Sequence, residues 1–146
     1  MRPTRWPTVV GLVALAALVG WLLADRAYGD LGTLPTYAPV TAVLIAVFEL
    51  GLSRVVWRKV RHLGHAKPMH PLQVARAAAL AKASSAAGSL LFGFYGGFFA
   101  WVAPRNEVRA AVHDAWVSGW SAAASALLLV AALLLERSCR TPPPPD

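Results

Sequence analysis

Four long apolar blocks, separated by short segments rich in proline, glycine and charge, make up most of the chain. The apolar residues within each block are nearly continuous, whereas the helices of a soluble four-helix bundle would carry a polar face along their length. A block of about 20 apolar residues is long enough to cross a bilayer as an α-helix. The pattern therefore predicts four transmembrane helices, over residues 6–24, 38–57, 80–102 and 116–135.

Prolines mark the ends of several blocks. Pro7 suits the first turn of a helix because it lacks an N–H that would be unpaired there in any case. Pro71 opens the third helical pattern, and Pro104 closes it because proline cannot continue a helix. The first block also fits a cleaved signal peptide. The residues after it offer no good pair of small residues for cleavage, so we expect it to remain as a span.

The composition indicates hydrocarbon as the main solvent of the chain. Hydrophobic residues make up 57% and charged residues 14%, whereas a soluble domain has about 45–50% and about 25%. The mean hydropathy is +0.51. We therefore predict a single all-α domain over residues 1–146, an integral membrane bundle of four transmembrane helices. Its proline-rich tail, residues 141–146, is expected to be disordered because polyproline has no internal hydrogen bonds.

Basic residues divide unequally between the two predicted sides of the membrane. Eleven of the 14 Lys and Arg residues lie on one side, and only Arg26, Arg105 and Arg109 lie on the other. Lys and Arg accumulate in cytoplasmic loops, so both termini and the central loop are predicted to be cytoplasmic. Tryptophan, which prefers the headgroup level, is expected at both interfaces: Trp6 and Trp57 inside, and Trp21, Trp101 and Trp116 outside. This asymmetry accounts for the net charge of +7, and we expect no nucleic-acid partner.

Small residues recur at every fourth position of the third helix, at Ala77, Ala81, Ser85, Ser89, Gly93 and Gly97. Positions four apart lie on one helix face, and small side chains there let another backbone approach closely. Ala16 and Gly20 of the first helix, and Gly119 and Ala123 of the fourth, are possible counterparts. We expect this small-residue groove to pack within the bundle, and the alternative is a contact with a second copy or another membrane subunit.

Glu49 lies close to the middle of the second block, near the bilayer midplane. An ionisable side chain costs about 2.5–3.5 kcal/mol there, so it should face the bundle. Lys82 is a candidate partner, although at about 1.5 Å per residue it lies roughly 12 Å nearer the cytoplasm. The alternative for Lys82 is snorkelling to the headgroups. We expect Glu49 to be a structural carboxyl that is hydrogen-bonded or protonated. The alternative is a role in ion or proton passage.

The predicted cytoplasmic loop, residues 58–76, is strongly basic. Four of its cations are predicted to contact lipid headgroups or a partner: Arg58, Lys59, Arg61 and Lys67. Contact with anionic lipid is expected, with docking of an acidic cytoplasmic partner as the alternative. We expect no metal site at His62 and His65, because the flanking glycine and proline break any helix that would align them. His113 and Asp114 are expected to be an isolated pair in an outer loop.

The sequence shows no phosphate-binding glycine loop, nucleophile elbow or paired-carboxylate site. The predicted loops are also too short to fold a catalytic domain. We therefore expect no enzyme activity and no cofactor. The leading hypothesis, based on the small-residue groove, is a non-enzymatic scaffold or accessory subunit that associates through its membrane helices. The alternative is a small transporter or channel component that uses Glu49 as a buried titrating group.

Three segments carry a resemblance to a known family: MRPTRWPTVVGLVALAALVGWLL, APVTAVLIAVFEL and PLQVARAAALAKASSAAGSLLFGFYGGF. The chain resembles the actinobacterial domain-of-unknown-function family 3180 over nearly its whole length. Elements typical of that family look matched by Pro71, Arg76 and Lys82 at the opening of the third helix, and by Gly93 and Gly97 further along. The resemblance implies four helices in the bacterial inner membrane and genes beside those of folate biosynthesis. It implies no known activity.

Overall fold

The computed structural model describes residues 6–29, 34–60, 71–105 and 109–139. Within these stretches the regular structure is helical: α1 (Trp6–Ala27), α2 (Ala38–Val60), α3 (Pro71–Val102) and α4 (Arg109–Ser138). Each helix is long and apolar enough to cross a membrane. For the described residues, the prediction of an all-α chain with four such helices is confirmed.

Helices α3 and α4 are longer than the apolar blocks from which they were predicted. They contain 32 and 30 residues, which at 1.5 Å per residue is about 48 and 45 Å, against about 30 Å of hydrocarbon. Helix α3 begins at Pro71, so residues 71–79 extend it before the predicted span. Helix α4 includes residues 109–115, which lie before the span predicted from the apolar pattern. This segment has three alanines, the strongest helix former, and contains no proline or glycine.

The helices pack in the order α1, α3, α4, α2. Helix α1 is parallel to α3, because Gly93 lies against Val13 and, one turn further along both helices, Gly97 lies against Ala17. Helix α2 is likewise parallel to α4. Its contacts advance in the same direction along both helices, from Ala46 beside Leu128 to Ser53 beside Ser138.

The two parallel pairs meet at an antiparallel contact between α3 and α4. Gly88 lies against Leu129, and Gly119 lies against the ring of Phe99. One end of the bundle therefore holds the beginnings of α1 and α3 and the ends of α2 and α4. We call it the basic end, because Arg54, Arg58, Arg76, Lys82 and Arg137 lie towards it. The opposite end is called the outer end.

The interior of the bundle is built from small residues, and its surface from large apolar ones. Most of the buried hydrophobic residues are alanines, whereas Phe48 and Trp116 are 65% and 67% exposed. A soluble monomer rarely exposes contiguous apolar patches of more than a few hundred Å². Lipid tails, in contrast, are as apolar as leucine and solvate such a surface. The distribution of side chains therefore suits helices surrounded by hydrocarbon.

Candidate functional site

The small-residue groove of α3 is filled by other helices of the same chain. All six of its residues are buried: Ala77, Ala81, Ser85, Ser89, Gly93 and Gly97. In the outer half of the groove, a Cβ on Gly97 would collide with the carbonyl oxygen of Ala17, and one on Gly93 with that of Val13. Helix α1 contributes Gly20 in return, which lies against the carbonyl of Phe94. The two backbones therefore touch without side chains between them.

The half of the groove nearer the basic end faces α2 and α4. Ala77 and Ala81 pack in one cluster with Val56 of α2 and Leu135 of α4. Between the two halves, the hydroxyl of Ser89 donates to the carbonyl of Ser85 at 2.7 Å, which satisfies this buried group within its own helix. The groove is therefore occupied in both halves by helices of the same chain and is not open to a second copy or another subunit.

Glu49 lies completely enclosed where α2 approaches α4 and α3. It is 0% exposed, and its neighbours on α2, Ala46 and Leu50, pack against α4. The hydroxyl of Ser84 on α3 faces the carboxyl but does not meet the geometry of a hydrogen bond, so neither carboxyl oxygen has a partner among the described residues.

Lys82, the other intramembrane charge predicted from the sequence, does not form an ion pair with Glu49. Its residue is exposed on α3, and the ion pairs of the described residues do not include one between Lys82 and Glu49. This position suits an ammonium group that reaches the headgroups at the basic end. Glu49 is therefore enclosed without its candidate counter-charge.

Only part of the predicted basic loop falls within the described residues. Arg58 is exposed in the last turn of α2, and Lys59 belongs to the same turn. The side chain of Lys59, all of Arg61 and Lys67, and the proline-rich tail lie outside the described residues. The predicted contacts of this loop with lipid or a partner therefore stay predictions.

Asp114 has a larger structural role than its sequence context predicts, and the expectation of an isolated loop pair is wrong. It lies in α4 and is 3% exposed. Its Oδ2 accepts a hydrogen bond from the Tyr28 hydroxyl at 2.9 Å, and its Oδ1 accepts one from the backbone N–H of Leu34 at 3.0 Å. The Nδ1 of His113 lies 3.3 Å from Oδ1. One carboxylate therefore ties α4 to two points of the connection between α1 and α2.

The spacing of small and polar residues along α4 carried a signal for this inward position. Residues three and four apart in alternation mark the seam of two packed helices. The buried residues of α4 that follow this alternation are Ala111, Asp114, Ser118, Ser121, Ser125, Leu128, Ala132 and Leu135. The seam predicts that Asp114 faces inward. It cannot identify Tyr28 and Leu34 as partners, because they lie 86 and 80 residues away in the chain.

An aromatic cluster surrounds this carboxylate at the outer end. The ring of Tyr28 lies 5.2 Å from that of Trp101, and burial, assisted by the hydrogen bond to Asp114 and its charge, raises the pKa of Tyr28 to about 12. Trp101 is only 8% exposed, so it lies inside the bundle and not in an open headgroup belt. Its Nε1 donates to Asp25 at 3.1 Å, and the guanidinium carbon of Arg105 lies 3.6 Å from its ring centroid. The cluster closes the outer end through contacts between three helices and their connections.

Four apolar helices with a small-residue interior and a large apolar surface define the class as a multi-pass, helical membrane protein. Within this class, the chain belongs to the family described as protein of unknown function (DUF3180), whose signature matches residues 9–143. The resemblance predicted from the sequence is thereby confirmed. No curated protein and no solved structure matches the chain. Functional inference therefore rests on the residues themselves.

Proposed function

We propose that the chain is a non-enzymatic scaffold or accessory subunit of the bacterial inner membrane, with both termini and the basic end on the cytoplasmic side. The large apolar side chains on the surface support insertion. The orientation is supported by the distribution of cations, since Lys and Arg concentrate on the cytoplasmic side of membrane proteins. The three described cations at the outer end are Arg26, Arg105 and Arg109.

The scaffold role rests on an uncovered face of α2. Helix α2 packs mainly against α4, and 28% of its apolar window is buried, compared with 22% for α1 and 44% for α3 and α4. The large apolar residues of its uncovered face are Val40, Leu44, Val47, Phe48 and Val55. Gly51 lies among them, and a Cβ there would meet no atom within 4 Å.

Gly51, like the equally open Gly11 of α1, weakens its helix and has no close neighbour among the described residues. Glycine makes a helix less stable by about 1 kcal/mol relative to alanine, whereas between two membrane helices it permits close backbone approach. The stretch of this face from Val40 to Gly51 carries no charge, and the exposed Arg54 follows only one turn nearer the basic end. An occupant of that stretch is therefore itself an apolar transmembrane helix. We infer that this helix belongs to a different subunit, to which α2 docks.

Replacing Gly51 tests this role. Gly51→Leu is expected to lower the recovery of the partner about tenfold, the effect of losing about 1.4 kcal/mol of helix packing, because leucine would hold the partner backbone away. The measurement is affinity purification from native membranes followed by quantitative mass spectrometry.

The matched control is Gly11→Leu on α1, where a Cβ also meets no atom within 4 Å. It should leave the recovery unchanged. A wild-type chain that purifies without any other protein, or only with a second copy of itself, contradicts the proposal. Equal losses from both variants would contradict the assignment to α2.

Passage of protons or small cations is a second candidate function, favoured by the enclosure of Glu49. Ionisable side chains within membrane-spanning helices mark ion and proton pathways in pumps and transporters. The carboxyl of Glu49 is 0% exposed and has no hydrogen-bond partner among the described residues. In this candidate function, α2 moves relative to α4. The movement gives the Glu49 carboxyl access first to one side of the membrane and then to the other.

The second candidate predicts proton flux in proteoliposomes that carry an internal pH-sensitive dye. The wild-type chain should dissipate an imposed pH gradient, and Glu49→Gln should lower the rate to that of protein-free vesicles, because glutamine cannot take up and release a proton. Lys82→Gln is the matched control, since Lys82 is exposed and forms no ion pair with Glu49. Absence of flux in the wild type, or full flux in Glu49→Gln, rules out this candidate.

A further inference from the structure

A cavity of about 390 Å³ lies between α2 and α4 near the basic end. Its wall combines two arginines with hydroxyl, indole and aliphatic groups. The residues that carry the argument are Ser53, Arg54, Trp57, Arg58, Leu134 and Ser138. None of the functions above uses this cavity.

Arg54 and Arg58 bring two like charges to the same wall. They are four residues apart on α2, so their side chains lie on one face and repel each other. Both are exposed, and neither has a carboxylate partner among the described residues. An anion between them would relieve this repulsion. The guanidinium group suits phosphate in particular, because its planar donors bind two phosphate oxygens at once.

The two serines of the cavity form a hydrogen bond with a defined direction. The Oγ atoms of Ser53 and Ser138 are 2.8 Å apart, and both residues are 8% exposed. The hydroxyl of Ser138 donates to the carbonyl of Leu134 at 2.8 Å, so Ser53 is the donor to Ser138. The oxygen of Ser53 is then left as an acceptor. The cavity therefore combines cationic donors for a phosphate with an acceptor for a hydroxyl group.

An apolar track continues from the cavity towards the middle of the bundle. Leu134 lines the cavity, and the residues four and seven positions before it on α4, Val130 and Leu127, are also exposed. They lie along one helix face and can hold an acyl chain. Trp57, which is 41% exposed, marks the headgroup level at which indole rings collect.

We propose that this cavity binds one anionic phospholipid of the phosphatidylglycerol type from the cytoplasmic leaflet. Arg54 and Arg58 hold its phosphate, Ser53 accepts a hydrogen bond from its glycerol headgroup, and one acyl chain follows Leu134 and Val130. A choline or ethanolamine headgroup would instead bring a third positive charge beside the two arginines. The inference goes beyond the scaffold role and uses only the membrane insertion and orientation proposed with it.

Native mass spectrometry of the full chain in mild detergent tests the site, with phosphatidylglycerol and phosphatidylcholine of the same acyl chains as probes. The wild type should bind one phosphatidylglycerol in preference to phosphatidylcholine. Each arginine is expected to contribute about tenfold in affinity, so Arg54→Gln/Arg58→Gln should bind about a hundredfold more weakly. Arg54→Lys/Arg58→Lys should fall between the two, because lysine keeps the charge but loses the planar fork.

The matched control is Arg76→Gln, which removes an exposed cation of the basic end that does not line the cavity. Its lipid binding should equal that of the wild type. Wild-type binding by the double glutamine variant, equal binding of phosphatidylcholine, or equally strong binding of inorganic phosphate alone would each overturn the proposal. Extraction with alkaline carbonate checks that every variant is inserted. Gly51→Leu should keep the lipid while losing the partner, so the two proposals fail separately.

Discussion

Gly97→Ala is expected to lower the free energy of unfolding of the bundle by about 3 kcal/mol, at the upper end of the usual cost of overpacking. The added Cβ would collide with the carbonyl oxygen of Ala17. Both colliding groups are held by helix backbone, so neither can rotate away as a flexible side chain would. Helix α1 must therefore withdraw from α3. The measurement is equilibrium unfolding in mixed micelles with increasing dodecyl sulfate, followed by circular dichroism and tryptophan fluorescence.

The next residue in the chain provides the control for this substitution. A Cβ on Gly96 would meet no atom within 4 Å, and alanine is favoured over glycine in a helix by about 1 kcal/mol. Gly96→Ala should therefore be as stable as the wild type or more stable. If Gly97→Ala proved equally stable, the close parallel contact between α1 and α3 would be wrong.

Asp114→Ala is expected to destabilise the bundle by about 3 kcal/mol, because hydrogen bonds to a charged group contribute about 1.5–3 kcal/mol each. The substitution leaves the Tyr28 hydroxyl and the Leu34 N–H without their acceptor. The same unfolding experiment measures the effect. Asp25→Ala is the matched control: Asp25 is exposed and accepts one hydrogen bond, from Trp101. It should cost about 1 kcal/mol. An equal loss from the two variants would contradict the role of Asp114 in tying α4 to the connection between α1 and α2.

The pKa of Tyr28 separates the charge of Asp114 from its hydrogen bonds. Asp114→Asn retains an oxygen for Leu34 and an amide that can bond the Tyr28 oxygen, but it removes the negative charge. Ultraviolet titration, corrected with Tyr28→Phe, should show the pKa of Tyr28 falling from about 12 while remaining raised, because burial is the largest cause of the shift. The folded bundle favours the neutral Tyr28 phenol, because its pKa is about 12 there and 10.0 in the unfolded chain. This contribution to the free energy of unfolding is fully present below pH 10.0 and is lost as the pH rises through about 12. An unchanged pKa in Asp114→Asn would show that the charge has no effect.

The amino-acid sequence determined the four helices and their apolar character. The physical reason is that a hydrocarbon solvent offers no hydrogen bonds to the backbone. In hydrocarbon each backbone N–H and C=O must be bonded within the protein, and a helix is the structure that achieves this within a single apolar block of about 20 residues. Pro71 and Pro104 also marked the limits of α3 closely. The beginning of α4 was missed because residues 109–115 carry charge and lie outside the apolar block, although their alanines continue the helix.

For the site residues too, the sequence predicted some features and the tertiary structure was needed for others. The spacing of Ala77 to Gly97 predicted a groove on α3, and the position of Glu49 predicted an inward-facing carboxyl. The sequence could not show that α1 fills the outer half of the groove, that Glu49 has no hydrogen-bond partner among the described residues, or that Asp114 meets Tyr28. Each of these facts depends on which helices are neighbours. The contacting residues lie far apart in the sequence, so no local pattern identifies them.

Only the tertiary structure decided the order α1, α3, α4, α2 and the faces that each helix buries. In water, a polar face would have told which side of each helix points outward. In lipid, the tails are as apolar as leucine, so the hydrophobic effect does not choose between a neighbouring helix and the bilayer. The choice is made by close backbone contact, as at Gly97 and Ala17, which depends on the shapes of two helices at once and not on the pattern along either one.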